Sequence, residues 1–133
     1  SEIQVFKKAC PLFVPLAEEG WTENDIAKLT VKEYLSELVN NGIDSLILGC
    51  THYPILKATI GEFIGEKITI VDPAKETAHK LMEFLEKNDM LTENEYEGKK
   101  EFYVSDNYAN FDQLCKRVLK YKCKAEKVDI EKY

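Results

Sequence analysis

An α/β fold with a mostly parallel sheet flanked by helices follows from three observations. Short apolar runs at residues 45–49, 67–72 and 101–105 have the length of strands. Between them lie stretches with the i, i+3, i+4, i+7 spacing of amphipathic helices. The run Ser45–Gly49 does not alternate, which is the pattern of a strand covered on both faces, as in parallel sheets. Strand and helix in alternation define the class.

The elements follow in order. "IQVFK" (3–7) alternates apolar and polar residues and predicts a short strand. In "ACPLFVPLAEEGW" (9–21), Pro11 and Pro15 argue against a long regular element, so an irregular apolar loop packed over something is expected. Thr30 and Glu33 read as a capping box, placing a helix start at Thr30. Val31, Tyr34, Leu35, Leu38 and Val39 supply its apolar stripe, and Asn41-Gly42 its end. After the 45–49 strand, Pro54 suits the first position of a helix reaching roughly to residue 64. "KITIVD" (67–72) is the next strand. Asp72 caps and Pro73 opens a helix with Ala74, Ala78, Leu81, Met82 and Leu85 on one face. A charged connection over 88–100 leads to the strand "EFYVS". Asp106-Asn107 then caps a last helix striped by Phe111, Leu114, Cys115, Val118 and Leu119, and residues 124–133 add an edge strand or stay loose. There is no internal repeat and no low-complexity segment.

With 133 residues, 44% hydrophobic and 32% charged, the chain suits one compact domain or pieces of two. The formal charge of −6, with lysines scattered among acids, argues against a nucleic-acid partner. The basic stretch 116–127 reads as a solvated helix end. No apolar run is long enough to span a bilayer, and no signal-peptide pattern is visible. The chain begins at Ser1 without a methionine, which fits a processed chain or a fragment. Cys10, Cys50, Cys115 and Cys123 are widely spaced with no CxxC pair, and His52 and His79 stand far apart. Neither disulfides nor a metal site are expected.

The chemistry concentrates in "DSLILGCTHYPILKA" (44–58). A buried strand ends by presenting a thiol, a hydroxyl and an imidazole at Cys50, Thr51 and His52, and ligands in parallel sheets bind beyond the carboxyl ends of strands. A following helix N-terminus near Pro54 offers amide donors for a carboxylate and lowers a thiol's pKa. Gly49 permits close approach. A bare Gly-Cys after a strand is more often core packing than chemistry; Thr-His-Pro after it brings the two readings level. Cys10 reads as packing under the proline loop, Cys115 as core, His79 as solvated, and Cys123 has no assigned role. From pattern alone, Glu18 and Glu19 are equivalent loop carboxylates.

"LILGCTHYPIL" resembles the second active-site segment of bacterial glutamate racemases. "ACPLFVPLAEEGW" is similar to an earlier motif of that family, and "VDPA" with its helix also fits, in the family's order and over nearly the whole chain. The resemblance implies a cofactor-independent isomerase interconverting L- and D-glutamate for peptidoglycan, in the cytoplasm, as a homodimer in its full length. It implies that two cysteines work on opposite faces of the substrate. Cys50 matches the second of them, His52 the residue assisting it and also contacting substrate, Thr51 a substrate-binding position, and Glu18 an acidic residue near the same thiol. The family's first cysteine, in a Gly-Cys-Asn-Thr-like segment, and its early Asp-Ser pair are absent. The resemblance therefore implies the C-terminal half of a two-domain, pseudo-symmetric enzyme, with the N-terminal half as a missing partner. Residues 1–70 would form most of the second domain, and residues 71–133 the returning elements of the first. Two rival readings are a non-catalytic carboxylate-binding α/β module and a cysteine hydrolase using Cys50 with His52. The second is weakened because no G-x-C-x-G nucleophile elbow surrounds Cys50.

Overall fold

The computed structural model describes residues 3–94, 96–106 and 108–132 and divides between Met90 and Leu91 into two compact units. The first unit contains α1 (Phe13–Glu19), α2 (Asp25–Asn40), β1 (Ser45–Ile47), a 3₁₀ turn (Tyr53–Leu56), α3 (Lys57–Ile64), β2 (Thr69–Val71) and α4 (Pro73–Lys87). The second contains β3 (Phe102–Val104), α5 (Tyr108–Leu119), β4 (Ala125–Lys127) and a 3₁₀ turn (Ile130–Lys132). Each unit carries one pair of parallel strands, β1 with β2 and β3 with β4. Among the described residues no helix is long and apolar enough to cross a membrane.

Four expectations change. Residues 3–7 form no strand and lie exposed, having no neighbour to complete a ladder. The supposed proline loop contains the helix α1, because Pro15 occupies its first turn, where an N–H has no intrahelical acceptor to lose. Gly20 closes this helix in the left-handed conformation, at φ 76°. Helix α2 starts at Asp25 rather than Thr30. Asn24 is its cap, accepting from the Ala27 N–H at 2.9 Å, while the Thr30 hydroxyl donates back to the Ile26 carbonyl from inside the helix. β1 is covered on one face only: Leu46 and Leu48 are buried, but Ile47 is 65% exposed.

Other expectations hold. Asn41-Gly42 ends α2, with Gly42 at φ 72°. Asp72 caps α4, its Oδ1 accepting from the N–H groups of Ala74 and Lys75. Residues 125–127 supply a strand, β4. His79 is exposed, and Cys10 and Cys115 are buried. The cap expected at Asp106-Asn107 lies partly outside the described residues.

The core of the first unit sits where α1, α2 and α3 meet β1. Phe13, Val31, Leu56 and Ile60 are its largest fully buried side chains, each contributing about 1.5–3 kcal/mol by leaving water. Thr59, also buried, donates its hydroxyl to the Thr22 carbonyl and ties α3 to the segment before α2. The second unit buries Cys115 and Cys123 and gathers Phe102, Phe111 and Tyr121 in tilted ring contacts.

Candidate active site

The ladder of β1 runs one residue past the strand, with the Leu48 N–H donating to the Val71 carbonyl at 3.0 Å. Gly49 and Cys50 are thus the first residues free of the sheet, beyond its carboxyl end. A 3₁₀ turn follows because Pro54 fits an early helical position, the second here rather than the first. The Tyr53 N–H donates to the Cys50 carbonyl at 3.1 Å and the Ile55 N–H to the His52 carbonyl at 3.0 Å. These bonds engage two of the amides at the helix start that were open to a carboxylate, those of Tyr53 and Ile55.

Cys50 is half-buried and Thr51 exposed. The Thr51 hydroxyl lies 3.4 Å from His52 Nδ1. The other ring nitrogen, Nε2, is buried and stands 3.4 Å from Glu18 Oε1 on α1, close as an ion pair but not aligned as a hydrogen bond. The fold thus brings together Glu18, Thr51 and His52, with Cys50 two residues before the imidazole. Among the described residues no hydrogen bond joins Cys50 to His52, and no group of three or more His, Cys, Asp or Glu side chains converges as a metal site. Gly49 adopts no left-handed conformation, and a Cβ there would meet nothing within 4 Å, so no contact inside this chain demands glycine.

Tyr53 joins the site without being marked by any sequence pattern. Its phenol donates to the Cys10 carbonyl at 3.3 Å, and burial pushes its pKa up. Its only signal in the sequence is an aromatic ring directly after His52. Cys10 is 3% exposed beneath α1, and burial raises its thiol pKa against the small opposing effect of Lys8. That is the inert state of a packed thiol.

No family model matches the chain. The glutamate racemase of Geobacter metallireducens is 50% identical over 118 residues, covering 89% of this chain and 44% of that protein. The glutamate racemase of a Sulfurihydrogenibium species is 46% identical over 129 residues, covering 97% and 46%. Among solved structures, the glutamate racemase of Francisella tularensis in complex with D-glutamate aligns at a TM-score of 0.86 and 33% identity, over 98% of this chain and 49% of that one. The chain spans about half the length of the curated relatives it matches.

Proposed function

The chain belongs to the glutamate racemase family and corresponds to the C-terminal portion of its members, and from that membership we propose that it supplies one of the two acid–base faces of a cofactor-independent glutamate racemase. The α-proton of glutamate is very weakly acidic, so removing it requires a placed base and electrostatic support for the carbanion. Cys50 as thiolate takes that proton, becoming a thiol. A second thiol, from the N-terminal half, gives a proton to the opposite face and becomes thiolate. The reverse direction exchanges the roles. One face alone returns the proton where it came from.

His52 assists Cys50, Glu18 holds the imidazole, and Thr51 with His52 engages the substrate. The observation that carries this reading is the meeting of His52 with Glu18 at 3.4 Å beside the turn that bears Cys50. The D-glutamate bound in the Francisella tularensis relative supports glutamate as substrate. The product would serve peptidoglycan synthesis in the cytoplasm. Residues up to about 70 belong to the second domain of the whole enzyme, and those from about 71 return to the first. Its N-terminal half covers the apolar surface left open on β1 and α4.

The test is to assemble this chain with the N-terminal half and follow glutamate by circular dichroism and by loss of α-deuterium to solvent. Cys50→Ala stops racemisation in both directions, and His52→Asn lowers kcat by about 10²–10⁴, unequally in the two directions. Near-normal turnover of Cys50→Ala overturns the assignment. Glutamate binding without any isotope exchange in the unmutated assembly would leave a carboxylate-binding module instead.

A further inference from the structure

Tyr53 is bonded to both halves of the site. Its N–H closes the turn carrying Thr51 and His52 by donating to the Cys50 carbonyl. Its phenol donates to the Cys10 carbonyl, which also accepts the Phe13 N–H at 3.0 Å in the approach to α1. Its ring meets Phe13 edge-on, centroids 5.3 Å apart at 84°. Tyr34 from α2 meets the same Phe13 at 5.4 Å and 71°, and its hydroxyl accepts from the Leu12 N–H at 3.4 Å. Phe13, 1% exposed, is thus clasped between two tyrosines.

We propose that Tyr53 is a positioning residue: through its bond to the Cys10 carbonyl and its packing on Phe13 it registers α1, and with it Glu18, against His52. The seven residues of α1 are too few to hold a helix by themselves, so tertiary contacts set its direction. Glu18 stands five residues beyond Phe13, about 7.5 Å along the axis. A tilt of about 10° around Phe13 therefore moves Glu18 by about 1.3 Å, a large change against the 3.4 Å that separates its carboxylate from His52 Nε2. A carboxylate held at Nε2 favours the tautomer with its proton there and leaves Nδ1 as acceptor toward Thr51. The Tyr53 phenol is protonated at neutral pH, and so a donor; burial pushes its pKa further up. The catalytic consequence rests on the racemase reading; the positioning does not.

The chain has two histidines, and His79 on exposed α4 serves as an internal reference. With ¹⁵N-labelled histidine in the 133-residue chain, the ring nitrogen shifts report the tautomer at each. Tyr53→Phe keeps the ring and removes the donor; Tyr53→Leu removes both. Tyr53→Phe is expected to move the His52 tautomer ratio part of the way toward that of His79, and Tyr53→Leu further, with His79 unmoved. Glu18→Gln is expected to reproduce the shift, and Tyr53→Phe added to it to change nothing more. If Tyr53→Leu does not fold, Tyr53→Phe carries the test. An unchanged His52 ratio in Tyr53→Phe, or a shift that adds fully to that of Glu18→Gln, overturns the proposal. In the assembled enzyme the Tyr53→Phe effect falls on kcat, about tenfold, with KM within about twofold. A tautomer shift in a chain whose unmutated assembly does not racemise glutamate would sustain the positioning and count against the racemase reading.

Discussion

Helix α2 buries Ala27, Val31, Leu35 and Leu38, whereas α4, of nearly the same length, buries none of its residues and leaves Leu81, Met82 and Phe84 each 56% exposed. Both have an apolar stripe, and both have a side-chain cap at the first turn. The difference is the partner. Helix α2 packs against α3 and α1 within the same unit; the stripe of α4 faces solvent in this chain. Amphipathic spacing thus states that a helix has a covered face in the working protein, not where the cover comes from. Ile47, 65% exposed on a strand whose pattern calls for burial on both sides, repeats the point. Under the racemase proposal both surfaces wait for the N-terminal half.

The largest expected effect is in the core. Leu35→Ala costs about 2–5 kcal/mol, the range for emptying a buried leucine site, while Leu81→Ala stays within about 0.5 kcal/mol, as at other exposed positions. Urea unfolding of the chain measures both. An equal cost at the two sites would break the comparison. In the assembled enzyme Leu81→Ala should become the costlier for association, which equilibrium sedimentation reads.

A middle effect lies at the caps. Asn24→Ala and Asp72→Ala each remove an acceptor from first-turn N–H groups, worth about 1 kcal/mol. The loss at Asn24 should lower hydrogen-exchange protection across the packed core, because α2 is part of it. The loss at Asp72 should stay within α4.

At neutral pH the smallest effect concerns the thiols, because it appears only in the alkaline range. Burial, reinforced by a hydrogen bond with Cys123, pushes the Cys115 thiol up from 9.0 to about 11. The unfolded thiol then loses its proton first as pH rises, so the second unit loses stability between pH 9.0 and about 11 and none below. At pH 7.5, iodoacetamide should alkylate half-buried Cys50 well before Cys10 or Cys115, which mass spectrometry of digests can follow. Cys115 reacting first would contradict its place in the core.

Local chemistry was legible in the sequence. The αβ alternation, the Asp72-Pro73 start, the Asn41-Gly42 stop and the Gly-Cys-Thr-His turn past a strand depend on neighbours in the chain, and periodicity or turn chemistry registers them. The start of α2 is obscured in the sequence because Thr30-x-x-Glu33 mimics a capping box, while Asn24, the residue that bonds a first-turn N–H, lies six residues earlier. Helix α1 looks like a loop in the sequence because prolines count against helices in general but not in a first turn. On a loop, Glu18 and Glu19 would be equivalent. On a helix, successive residues point about 100° apart, and it is Glu18 whose carboxylate comes to 3.4 Å from His52. The tertiary structure alone decided that meeting, the role of Tyr53 as a tie between two distant segments, and the covering of one face of β1 rather than two. Each depends on residues far apart in the chain being brought together by a shared core, and no periodicity within one segment encodes which distant segment will supply the other side.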